Sequence, residues 1–129
     1  MCICDFYKEY VVAHQNEVNH ILRINYGGGY NSFWVSMENN SYPCLAILTN
    51  NNLACVHYFP EEGDSGFQSV STENLSKNTS GETEFRVDNI NRPQFLNNDA
   101  VVSLREAIEV VQEFMVLPLR PTAITWREL

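Results

Sequence analysis

The sequence predicts an α+β fold in a single domain, with a mainly antiparallel sheet of about six strands packed by two helices. Three observations carry that prediction. Residues 45–49 and 53–59 are short apolar runs joined by Asn50-Asn51-Asn52, the pattern of two central strands linked by a turn that tolerates left-handed backbone angles. Residues 33–38 and 83–88 alternate apolar with polar side chains, the period of a strand with two unlike faces. A long amphipathic stripe follows Ser103, punctuated as a capped helix. At 129 residues the chain can bury one ordinary core and is too short for two.

The first ten residues carry a weak strand pattern. Residues 15–25 place Val18, Ile21 and Leu22 on one stripe, which predicts a short helix, and Gly27-Gly28-Gly29 stops it. In residues 33–38, Phe33, Val35 and Met37 alternate with Trp34, Ser36 and Glu38; Asn39-Asn40-Ser41-Tyr42-Pro43 then reads as a turn. The two central strands follow. Residues 70–82 are rich in Ser, Thr, Asn, Gly and Glu with little to bury, so a mobile connection is expected there. Its sequons at Asn74 and Asn78 have no use in a cytosolic protein. In residues 83–88, Phe85 and Val87 are expected to face inward and Glu84, Arg86 and Asp88 outward. Ser103 and Glu106 form a capping box, and Leu104, Ala107, Ile108, Val111, Phe114 and Met115 make a stripe that stops before Pro118, so the second helix packs on the sheet. Residues 120–126 are β-branched and aromatic after a proline, as at the start of an edge strand.

The charge balance narrows the partners. Sixteen Asp and Glu against eight Lys and Arg give a net charge of −8, which disfavours nucleic acid and anionic membranes because phosphate binding needs clustered cations. No stretch approaches the ~20 apolar residues of a membrane span, and Met1-Cys2-Ile3-Cys4-Asp5 lacks the basic start and apolar run of a signal peptide. The cytosol is therefore the expected location. Cys2, Cys4, Cys44 and Cys55 are too few and too irregularly spaced for a disulfide framework or a zinc knuckle. A three-residue loop at Asn50-Asn51-Asn52 would pair residue 47 with 55 and turn Cys44 to the opposite face from Cys55, leaving both thiols free.

Chemistry-bearing residues concentrate in one segment, Val56-His57-Tyr58-Phe59-Pro60-Glu61-Glu62-Gly63-Asp64-Ser65-Gly66-Phe67-Gln68-Ser69. An apolar run ends there in three carboxylates set among aromatics and glycines. Such a surface suits a basic partner. Tyr58, Glu61, Glu62, Asp64 and Phe67 form the candidate contact patch, joined by Tyr42 in its turn. Glu109 and Glu113 on the second helix are weaker candidates, since same-face acids usually make a solvated surface. His57 could act as a catalytic base oriented by Asp64 or Glu62, but a strand histidine with a satisfied ring is the commoner situation. Trp34, Tyr58 and Trp126 read by default as core. The acids do not follow a calcium-loop pattern, no His pair has metalloprotease spacing, and Gly27-Gly28-Gly29 follows a helix rather than opening one, so no metal, phosphate or other cofactor is expected.

Cys55-Val56-His57-Tyr58, then Gly63-Asp64-Ser65-Gly66-Phe67-Gln68-Ser69, and finally Arg120-Pro121 followed by Ile124 and Trp126 resemble the bacterial immunity protein 1 family, and most closely its members directed at DNA cytosine deaminase toxins. The likeness runs from about Trp34 to the C-terminus and leaves the first thirty or so residues out. It implies a small α+β inhibitor with no activity of its own, bound one to one to the C-terminal domain of its cognate toxin, at the active site or at a site that blocks substrate access. The residues alone keep two rivals open: an enzyme using His57 with an acidic partner, and a scaffold or self-associating module.

Overall fold

The computed structural model describes residues 1–71 and 81–129; most of the predicted connection at 70–82, with both sequons, lies outside the described residues. The chain begins with two short strands, β1 (Cys2–Cys4) and β2 (Glu9–Val11), where one was expected. Asp5 makes the bend between them, its Oδ1 accepting the backbone N–H groups of Tyr7 and Lys8, both at 2.8 Å. The predicted first helix is α1 (Gln15–Ile21), capped at Leu22 and so ending well before the glycines expected to stop it; it is entered by Glu17, whose carboxylate accepts the His14 N–H at 2.9 Å. Val18, Ile21 and Leu22 are all buried, as their spacing requires.

The main sheet follows with β3 (Tyr30–Ser36), β4 (Cys44–Asn50), β5 (Leu53–Phe59), β6 (Phe67–Val70), β9 (Val102–Ser103) and β10 (Thr125–Glu128). Together with β1 and β2 it has eight strands, in the order β10-β6-β5-β4-β3-β1-β2, with β9 also paired to β5. Every pairing is antiparallel. Two further strands, β7 (Glu82–Arg86) and β8 (Pro93–Asn97), form a separate ribbon, so the predicted strand at 83–88 belongs to this ribbon. The sheet is wider than predicted because the first ten residues make two strands and because β6 and β9, like β8 in the ribbon, are too short to carry a strand pattern of their own. They are strands only through their partners.

The outer edge of β5 is shared. Leu53 and Ala54 pair with β9, while His57 and Tyr58 pair with β6. Between them the Ser69 hydroxyl accepts the Val56 N–H at 3.0 Å and donates to the Ala100 carbonyl at 2.7 Å. A buried side chain thus replaces a missing ladder bond.

Alternation assigns the faces. Ile3, Phe33, Val35, Leu45, Ile47, Val56 and Tyr58 point to one side and bury under α1 and α2 (Leu104–Val116). The Ser103 hydroxyl accepts the Glu106 N–H at 3.0 Å and the Glu106 carboxylate accepts the Ser103 N–H at 3.1 Å, which completes the predicted capping box. The helices are clamped together by reciprocal bonds at 3.1 Å, Gln15 Nε2 to the Gln112 carbonyl and Gln112 Nε2 to the Gln15 carbonyl. On the other side, Leu48 and Cys55 are covered by Phe85 of the ribbon with Ala100 and Val101.

The central hairpin corrects the expected register. Asn50 continues the ladder by pairing with Leu53, and Asn51 takes the left-handed φ of 53°, so the turn is two residues long. Cys44 then lies opposite Phe59 and Cys55 opposite Leu48, which puts both thiols on the same face, well apart along the hairpin. All four cysteines are free, and burial pushes the Cys55 thiol up to about 12.

Candidate partner-binding surface

The acidic segment is a tight connection from β5 to β6. Pro60 follows the last strand residue, the Asp64 N–H donates to the Glu61 carbonyl at 3.3 Å, and Asp64 Oδ1 accepts the Gly66 N–H at 2.7 Å. Gly66 is required here. Its φ is +79°, and a Cβ would stand 2.6 Å from the Tyr58 carbonyl oxygen and 2.7 Å from the Phe59 ring. The Gly66 carbonyl also accepts the N–H of Leu129 at 2.9 Å, which ties the chain's end to the loop. Glu61, Glu62 and Asp64 are held exposed on this small frame.

The six candidate contact residues separate into classes. Tyr42, 40% exposed, lies in the β3–β4 connection, at the same end of the sheet as the β5–β6 connection that carries Glu61, Glu62 and Asp64. Phe67 is half-buried, with the Arg120 guanidinium 4.4 Å above its ring. Tyr58, expected in the contact patch, is instead a core residue: it shares the inward parity of Val56, is buried, and packs on Phe67 and Trp126 at ring separations of 6.1 and 6.3 Å. Of the helix acids, Glu113 caps the following loop through Thr122, accepting its N–H and hydroxyl, and Glu109 pairs with Arg105 at 3.6 Å.

His57 faces the opposite way from Tyr58, half-buried on the outer side of the sheet. Its Nε2 lies 3.1 Å from Gln68 Nε2, while Gln68 Oε1 accepts from Arg127 at 2.7 Å. Because the amide oxygen is committed to Arg127, the amide nitrogen must donate to the imidazole, so Nε2 is an acceptor and Nδ1 carries the proton. Burial lowers the His57 pKa, in keeping with this neutral ring. The hydrogen bond therefore goes to an amide, whereas Asp64, proposed from sequence as an orienting acid, is spent on Gly66. Among the described residues no cluster of His, Cys, Asp and Glu is arranged to hold a metal ion, and no helix is long and apolar enough to cross a membrane.

Sequence reading missed the outer face between β3, β5 and the ribbon. Trp34, 46% exposed, points outward where Phe33 and Val35 point in. Its ring lies 6.1 Å from that of Phe59, which stacks on His57 at 6.1 Å and 9°. The indole Nε1 donates to Asp88 Oδ1 at 3.3 Å. These groups, with Ala46, Val87 and Gln94, line a pocket of about 170 Å³. The period-two alternation of residues 33–38 carries the signal, since it opposes Trp34 to Phe33 and Val35, and the exposed indole corrects the default assignment of Trp34 to the core.

No family model matches the chain. Over 99 residues it is 34% identical to the double-stranded DNA deaminase immunity protein of Burkholderia cenocepacia strain H111, an alignment covering 77% of this chain and 76% of that protein. With that identity spread over most of both sequences, the chain belongs to the family of the double-stranded DNA deaminase immunity proteins.

Proposed function

We propose that this protein is a cytoplasmic immunity protein that binds the C-terminal domain of a DNA-acting deaminase toxin one to one and covers its substrate groove with the acidic end of the sheet. Kinship with a deaminase immunity protein carries the reading, and the loop supports it physically. A deaminase that acts on DNA must present a cationic channel and a pocket for an extruded base. Glu61, Glu62 and Asp64, held out on a short loop beside Tyr42 and Phe67, match such a channel in charge. Opposite potentials accelerate encounter, which matters for an inhibitor that must act before damage accumulates. Affinity then rests on a few central anchors rather than on rim charge. The protein needs no chemistry of its own for this task, and a His57 bonded to Gln68 is consistent with a structural ring. Co-expression with a candidate cognate deaminase toxin domain is expected to give a co-purifying complex and to protect growth. Absence of both would sink the proposal.

A further inference from the structure

The pocket on the outer face points to a second contact with the same partner. We propose that the cavity bounded by Trp34, His57, Phe59 and Asp88 receives an arginine side chain of the toxin domain, a proposal that rests on the immunity reading above. Three observations select this occupant. The walls are aromatic rings, with Trp34 open to solvent and His57 and Phe59 stacked in parallel; a planar, weakly hydrated guanidinium lies well on such faces. A carboxylate stands at the rim. Asp88 uses Oδ1 to hold the Trp34 indole, while Oδ2 faces Arg92 at 3.9 Å across a pair of exposed groups, an interaction weak enough for an incoming guanidinium to displace. Finally, the pocket is near the acidic loop, because the Phe59 ring that walls it also lies against Gly66.

A net charge of −8 argues against a nucleotide in this place, since phosphate would be repelled. The remaining alternative is a second copy of this chain.

Affinity for a cognate deaminase toxin domain, measured by calorimetry on the full-length chain, tests the site. Trp34→Ala removes a wall and is expected to weaken binding by about tenfold or more, as anchor truncations do. Asp88→Asn is the cleaner variant. Asparagine keeps an acceptor for the indole and tolerates the φ of 60° at this position, so only the charge is lost, and binding is expected to weaken by about threefold to tenfold. If the wild type binds and Asp88→Asn stays within about twofold of it, the pocket does not take a cation and the proposal is overturned. A concentration-dependent dimer that Trp34→Ala abolishes would assign the pocket to a second copy and overturn it likewise. If the wild type itself fails to bind the toxin, the immunity reading falls and takes this site with it.

Discussion

Strand β5 presents two faces that meet different fates. On one, Ala54, Val56 and Tyr58 are closed over by α1 and α2 with Phe33, Ile47 and Phe114. On the other, Cys55 is sealed by the ribbon and Phe85, whereas His57 and Phe59 remain at a pocket with the exposed Trp34. Both sides carry apolar and aromatic residues, so composition alone does not separate them. What differs is the cover. Among the described residues, two helices close the inner face and one short ribbon closes half of the outer face. The uncovered half adjoins the acidic loop, and it is there that the molecule keeps aromatic rings and carboxylates together at its surface.

The largest expected contrast is in stability. Phe33 is fully buried on the inner face, so Phe33→Ala should cost about 3–5 kcal/mol in denaturant unfolding. Trp34→Ala, one residue along and facing out, should cost far less. Equal losses would mean that the outer face is as structural as the inner. Next comes the hinge between faces and loop. Gly66→Ala strains a positive φ and drives a Cβ into the Tyr58 carbonyl, an expected loss of about 1–3 kcal/mol accompanied by weaker toxin binding. A substitution tolerated without either effect would show that the loop is not held as described.

Reversing Glu61 and Glu62 to lysine should leave unfolding almost unchanged while slowing association about tenfold at low salt and flattening its salt dependence. Unaltered association kinetics would remove the loop from the interface. The smallest effect concerns pH. Burial lowers the His57 pKa below its ordinary 6.5, so the unfolded chain takes up this proton before the folded one does. Stability is therefore expected to be unaffected by this group above the unfolded pKa and to fall as pH drops below it, levelling off under the folded pKa. Urea midpoints at neutral and mildly acidic pH should show a shallower decline in His57→Gln than in the wild type.

Local signals are the legible part of the sequence. The Ser103–Glu106 box, the stripe of α2 and the period-two alternation of β3 each lie within a few residues, so one element determines them. The hairpin register was missed because Asn50 can serve either as turn or as ladder, and only the left-handed Asn51 decides it. β8 was illegible for another reason: Pro93–Asn97 is mostly exposed, and only its pairing with β7 makes it a strand. In the candidate site, the acidic loop was legible from Pro, Gly and carboxylates in sequence. Tyr58 was misplaced because its nearness to the loop outweighed its parity with Val56. The outer pocket depends on Trp34 meeting Asp88 across two separate sheets, a contact no local pattern records.

Amide hydrogen exchange on the protein, free and bound to a cognate toxin domain, tests most directly the claim that the uncovered outer face and its loop form the inhibitory surface. The account expects protection on binding at Glu61–Gly66 and at the Asp88–Arg92 turn, with α1 and α2 unchanged. Protection confined to the two helices, with the loop and turn exchanging as in the free protein, would contradict it.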